Sequence, residues 1–190
     1  MRIALDLDGV LANTMKVWLE IWNAERFPRL AYESVDEWDF WRRLGITEAE
    51  FGAIFSRAWS KWPDVPPAED RLAEKVRALS ELGTVDVVTG RPREDERHIR
   101  SWLDLHSVDY RALVIGVARK AELGYDVYID DSPRLAEDLI GRKGVLLLRD
   151  QPWNRNVPDD SKVKRIRGLD EAIAVLGGEG FTGQRRRRRP

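Results

Sequence analysis

Asp6-Leu7-Asp8-Gly9-Val10 places two carboxylates at the end of a short apolar run, Ile3 to Leu7. The run reads as a buried strand, bounded almost at once by Gly9. Side chains alternate along a strand, so Asp6 and Asp8 share one face while Leu7 takes the other. Two like charges held beside a core are costly unless a cation, or a proton shared with a substrate, offsets them. Acid–base work or cation binding is the chemistry such a pair can do.

Far along the chain the same logic recurs. Tyr125-Asp126-Val127-Tyr128-Ile129-Asp130-Asp131-Ser132-Pro133 is a β-prone run ending in paired carboxylates, after which Pro133 opens a helix. Between the two acidic sites lies Val85-Asp86-Val87-Val88-Thr89-Gly90-Arg91-Pro92, an apolar strand ending in a hydroxyl, a glycine and a proline. Lys120 stands ten residues before Asp130. In this order the four pieces resemble the haloacid-dehalogenase-like phosphohydrolase superfamily. They match its DxDG nucleophile motif, its Ser/Thr motif, its lysine motif and its acidic metal motif.

That resemblance implies an aspartyl-phosphate mechanism. Asp6 is expected to attack phosphorus in line, dividing monoester hydrolysis into two easier steps. Asp8 is expected to protonate the leaving oxygen and then to activate water. Members that displace halide lack an acid at this position, so phosphate hydrolysis is the expected reaction. Thr89, the amides of Gly90 and Arg91, and Lys120 are expected to hold the phosphate. Arg91 or Arg119 could stand in for Lys120. The metal ligands expected are the Asp6 carboxylate, the Asp8 carbonyl and Asp131. Asp130 is expected to pair with Lys120, although the two adjacent acids could exchange roles.

Strand and helix patterns alternate from Thr84 onward: strands at 84–89, 111–116, 126–130 and 144–148, helices at 92–105, 118–123 and 133–141, and a closing helix at 169–176. Alternation predicts an α/β fold with a doubly wound parallel sheet and ligands beyond the carboxyl ends of its strands. Residues 14–76 interrupt the pattern with helices at Met15 to Phe27, from Thr47, and at Ala68 to Leu82. Thr47-Glu48-Ala49-Glu50 is a capping box. The resemblance implies a small helical cap at this point and strand order 5-4-1-2-3. Residues 1–13 and 77–176 are then the core, and 177–190 an Arg-rich tail that reads as disordered.

The insertion is aromatic, holding six of the eight tryptophans. Glu37-Trp38-Asp39-Phe40-Trp41, the Ile-Asp-Asp-Ser-Pro ending, and Lys120 with Asp126 resemble the 5′(3′)-deoxyribonucleotidase family and its prokaryotic relatives. In that family cap aromatics stack on the nucleobase, which implies a base platform drawn from Trp18, Trp22, Trp38 and Trp41. The remaining rings fill a small core. A nucleoside monophosphate is therefore the expected substrate. The alternatives are sugar phosphates or other small monoesters, or a nucleic-acid-associated phosphatase or binder using the tail.

Composition narrows the classes further. The chain has 190 residues, 43% hydrophobic and 34% charged, with no cysteine and two histidines. Disulfides, thiolate catalysis and cysteine-held metals are excluded, and His98 and His106 are too few for a zinc site. A metal should be a hard cation held by oxygen, Mg²⁺ above all. No apolar run reaches the roughly 18 residues a membrane span needs, and a strand at the very start leaves no room for a signal peptide. A cytoplasmic setting is expected. Net charge is −1, but Arg185 to Arg189 contribute +5, leaving −6 on residues 1–184. A net acidic body does not suit a dedicated nucleic-acid binder, so nucleic acid is expected as a partner only through the tail. GxxxxGK[ST] is absent, and no GxGxxG follows a predicted strand, which argues against a P-loop kinase or a dinucleotide enzyme.

Overall fold

Short apolar runs separated by amphipathic helices leave this chain one economical arrangement, a parallel sheet covered on both faces. The computed structural model describes residues 1–178. Its strands are β1 (Arg2–Leu5), β2 (Thr84–Thr89), β3 (Leu113–Ile115), β4 (Val127–Asp130), β5 (Val145–Arg149) and β6 (Val163–Ile166). They form one sheet ordered β3-β2-β1-β4-β5-β6, all pairs parallel. The expected order is present in its first five strands, with Ile3 paired to Val85 on one side and Val127 on the other. The sixth strand was not expected. Val163-Lys164-Arg165-Ile166 is apolar only at its ends, as an edge strand beside β5 can be.

The helices are α1 (Thr14–Glu25), α2 (Glu48–Ser60), α3 (Leu72–Leu82), α4 (Glu96–Leu105), α5 (Pro133–Asp138) and α6 (Leu169–Gly177). Helix α3 begins later than its periodicity suggests. Ala68 instead donates to Leu11 O at 2.8 Å, and Arg71 takes a left-handed φ of 54° just before the first turn. The helix then packs on α6 and β2, so the chain has rejoined the sheet layer by Leu72. Helix α5 stops at Asp138 rather than 141.

Between β1 and α3 the chain builds α1, α2 and short 3₁₀ turns at Tyr32–Ser34, Phe40–Leu44 and Trp62–Asp64. Thr47 and Glu50 form the expected reciprocal cap: Glu50 N donates to Thr47 Oγ1 at 3.2 Å, and Thr47 N to Glu50 Oε2 at 2.8 Å. Entry to and exit from this insertion run side by side. Asn13 N donates to Pro66 O at 2.9 Å, and Ala12 forms an antiparallel bridge with Pro67. Residues from 179 onward, including Arg185 to Arg189, lie outside the described residues.

At the opposite edge of the sheet from the acidic motifs, Asp86 is fully buried. It accepts from Arg111, and from Tyr125 Oη at 2.7 Å. Burial, then this hydrogen bond, pushes the Tyr125 phenol up to about 12.

Candidate active site

Strand β1 is central, so its carboxyl end is flanked by two neighbouring strand ends. Asp6 N donates to Ile129 O at 2.9 Å, setting Asp6 beside the end of β4. Leu7 is fully buried, and both Leu11 N and Ala12 N donate to its carbonyl. These bonds fold the chain back through Gly9, whose φ is +78°. Only glycine suits the place: a Cβ there would meet Asp131 Oδ2 at 1.9 Å.

The 3₁₀ turn Lys120–Leu123 brings Lys120 Nζ to 2.6 Å from both Asp6 Oδ1 and Asp130 Oδ2. Asp130 Oδ1 also accepts from Ser132 N at 2.9 Å. No hydrogen-bond donor among the described residues reaches the Asp131 carboxylate. Asp6, Asp130 and Asp131 are all buried, and each offers an oxygen within 4.8 Å of the others. Burial, then the charge of Asp130, raises Asp6 to about 7. Burial, then Asp6 and Asp130, likewise pushes Asp131 well above the ordinary carboxylate range. Burial alone would lower Lys120, but Asp130 and Asp6 more than offset it and hold the ammonium charged. Three buried carboxylates against one ammonium leave negative charge to be offset, and an all-oxygen donor set fits a hard divalent cation.

Asp8 shares the cavity but not this cluster. Its Oδ1 accepts from Trp59 Nε1 at 3.0 Å, and its Oδ2 lies 3.2 Å from Arg91 Nε. Thr89 ends β2, and its hydroxyl accepts from Arg91 N at 3.1 Å. That bond occupies an amide expected to face phosphate, so of Arg91 only the side chain points to the acids. Its guanidinium stacks over Phe55 at 4.8 Å, with Nη1 lacking a partner.

A cavity of about 510 Å³ joins these groups, lined by Asp6, Asp8, Thr89, Gly90, Arg91, Lys120, Asp130 and Asp131, with Trp38, Trp41 and Phe51 on the insertion side. Trp38 and Trp41 are half-buried on its wall. Trp18 and Trp22 do not reach it. They stack on each other at 5.5 Å inside the insertion, 0% and 2% exposed. Each indole is satisfied there, Trp18 by Phe51 O at 3.1 Å and Trp22 by Pro28 O at 2.8 Å. One turn apart on α1, they form a core stripe rather than a base platform.

The segment after β5 went unread in the sequence. Gln151 Nε2 donates to Gly9 O at 2.8 Å, and its Oε1 accepts from Tyr32 Oη at 3.1 Å. Buried Asn154 donates to Asp131 O at 2.9 Å and Arg149 O at 2.7 Å. Both acidic turns are thus held from behind. The available signal was position: residues after β5 emerge at the same carboxyl edge as the acids. Arg134 of α5 also ties Asp39 of the insertion at 2.7 and 3.0 Å.

The family model for the 5′ nucleotidase, deoxy (pyrimidine), cytosolic type C protein matches residues 1–176. The chain belongs to this family. Membership makes the chain a hydrolase acting on phosphate monoesters. No curated protein matches the chain in sequence. Among solved structures, protein tyrosine kinase A of Mycobacterium tuberculosis is similar with a TM-score of 0.67 at 13% identity, covering 93% of this chain and 98% of that one. A haloacid dehalogenase-like hydrolase of Streptococcus pneumoniae gives 0.63 at 12%, covering 92% and 97%. A superfamily hydrolase of Geobacter sulfurreducens gives 0.56 at 17%, covering 92% and 98%. At these identities the likeness is one of fold, and it is the haloacid-dehalogenase-like α/β fold. No helix among the described residues is long and apolar enough to cross a membrane.

Proposed function

We propose that this type C nucleotidase is a Mg²⁺-dependent phosphomonoesterase acting on nucleoside monophosphates through an aspartyl phosphate. The observation that carries the reading is one cavity lined both by Asp6, Asp8 and Lys120 and by Trp38 and Trp41 of the insertion. Its volume falls in the range of small-ligand sites. The insertion between Asn13 and Pro66, as the cap, supplies the wall that receives the base.

Asp6 attacks phosphorus while the bond to the leaving oxygen breaks, and Asp8 gives that oxygen its proton. Asp8 then takes a proton from the water that releases phosphate from Asp6. Lys120 offsets charge on Asp6 and on the phosphoryl oxygens, and the Thr89 hydroxyl and Gly90 amide orient them. Mg²⁺ would be held by Asp6, the Asp8 carbonyl and Asp131, and would supply Lewis-acid charge stabilisation. Asp130 keeps Lys120 in place. Lys120 already lies 2.6 Å from Asp6, which supports this division of labour.

Screening a panel of phosphate monoesters with Mg²⁺ and with chelator tests the reading, with nucleoside monophosphates expected to lead. Stacking is worth ~1–3 kcal/mol per base, so Trp38→Ala or Trp41→Ala should raise KM for nucleotides about 5- to 150-fold. Glycerol phosphate, which has no base, should be little affected. Equal losses on both substrates in variants with unchanged melting would return these rings to a packing role.

A further inference from the structure

Four indoles of this protein are fully or almost fully buried with a bonded N–H. Three of them serve main-chain carbonyls: Trp18 that of Phe51, Trp22 that of Pro28, and Trp102 that of Val65. Trp59 is different. It is 0% exposed, and its Nε1 donates to a carboxylate in the cavity, Asp8 Oδ1, at 3.0 Å. Trp59 shares a face of α2 with Phe55 and Ser56, one turn earlier. The whole face lies on the catalytic edge: Phe55 under the Arg91 guanidinium at 4.8 Å, and Ser56 Oγ donating to Asp95 Oδ2 at 3.2 Å.

We propose that Trp59 is a positioning residue for Asp8, so that the insertion orients the proton donor of the reaction as well as walling the substrate. The proposal rests on the phosphomonoesterase reading. An indole N–H only donates, so the bond from Trp59 fixes where Oδ1 lies and with it the orientation of the whole carboxyl group. Among the described residues Oδ2 meets only the Arg91 guanidinium, as an ion pair at 3.2 Å. In the first step the Asp6–phosphorus bond forms, the bond to the leaving oxygen breaks, and the proton on the Asp8 carboxyl passes to that oxygen. In the second, water gives a proton to the Asp8 carboxylate as its oxygen bonds phosphorus and the Asp6–phosphorus bond breaks. Pinning Oδ1 fixes the carboxylate's torsion for both transfers, as a preorganised donor requires.

Leaving-group sensitivity provides the test, because a positioning role and a packing role predict different patterns. A nitrophenolate departs without a proton, whereas an alkoxide needs one. Trp59→Phe keeps a ring in the packing and removes the N–H. Its kcat/KM, which reports steps only through cleavage of the first ester bond, is measured for p-nitrophenyl phosphate and for glycerol phosphate. Since a general acid contributes roughly 10²–10⁴-fold, glycerol phosphate should lose at least about tenfold more than the nitrophenyl ester. Trp102→Phe, whose ring meets Trp59 edge-on at 6.1 Å, loosens the same packing without touching Asp8 and should leave the ratio unchanged. Equal losses on both esters in Trp59→Phe, or the same skew in Trp102→Phe, would overturn the proposal. If Trp59→Phe does not fold, the folded wild type with ¹⁵N-labelled tryptophan serves: the Trp59 indole proton should shift on Asp8→Asn, and an unmoved resonance overturns the proposal. A wild-type protein that hydrolyses neither ester would overturn the phosphomonoesterase reading itself, an outcome distinct from equal losses in an active enzyme.

Discussion

Replacing Gly9 with alanine should separate two effects that usually travel together, backbone strain and displacement of a carboxylate proposed to hold the metal. The residue has φ +78°, where an L side chain costs about 1–2 kcal/mol. At this chain length that lowers Tm by about 2–8 °C. The added Cβ would also stand 1.9 Å from Asp131 Oδ2 and 2.8 Å from its Cγ, whereas ordinary contact begins at 3.4 Å. The main chain has little room to yield, since Gly9 N donates to Ala12 O and Gly9 O accepts from Gln151. The Asp131 carboxylate must therefore swing away, and a displacement near 1 Å at a reacting centre can cost about 10²-fold in rate. Gly141→Ala is the control, with φ +71° and nothing within 4 Å of its Cβ. Both variants should melt at similar temperatures in chelator. Only Gly9→Ala should lose the Mg²⁺-induced rise in Tm together with about 10²-fold in kcat/KM. A Gly9→Ala enzyme with normal kcat/KM and a normal Mg²⁺ shift would refute the reasoning, because Asp131 would then not be needed where it stands.

Asp6→Asn should abolish Mg²⁺-dependent turnover in a discontinuous phosphate-release assay, by orders of magnitude, since no covalent route remains. Asp131→Ala should abolish the Mg²⁺ shift in Tm, while Asp130→Ala should keep part of it and lose activity through a released Lys120; the reverse ranking would exchange their roles. Without metal, Asp6 and Asp131 titrate above their unfolded values, so between pH ~4 and ~7 the folded state binds more protons than the unfolded one and stability falls as pH rises. Comparing metal-free melts of wild type and Asp131→Asn over this window should show a flatter dependence in the variant; parallel curves would mean the carboxylates do not repel as described. Asp86→Asn should cost about 1–3 kcal/mol in urea unfolding, because it weakens the acceptor for Arg111 and Tyr125, and should leave kcat unchanged.

Legibility in the sequence followed how local the determinant was. Asp6, Asp8, Thr89, Asp130 and Asp131 each end a strand whose apolar run is visible, so their shared edge follows from alternation alone. Lys120 was legible as a motif on a short helix expected at 118–123, but its simultaneous reach to Asp6 and Asp130 is a tertiary contact that no local pattern announces. The tryptophans divided by helical phase. Trp18 and Trp22, four apart on α1, face the insertion's interior, whereas Trp38 in a turn and Trp41 in the 3₁₀ turn that follows it line the cavity. Gln151 and Asn154 escaped notice because their bonds to Gly9 and Asp131 span more than twenty residues each. Trp59 was hidden in the same way: a ring in a helix signals packing, and the one polar atom it aims at Asp8 has no sequence signature.

The paired entry and exit of the insertion have a consequence for engineering. Leu11 O takes Ala68 N at 2.8 Å, and Asn13 N reaches Pro66 O at 2.9 Å, so everything between departs from and returns to one stitched junction. To the sheet, the intervening segment is a loop whose ends are already closed, and its length enters the closure entropy only logarithmically. A different lid of similar junction spacing could be grafted there without asking β1 or β2 to move. The acidic edge would be retained as a reusable cassette, and what the lid contributes directly, including the indole on Asp8, would have to be rebuilt in each chimera.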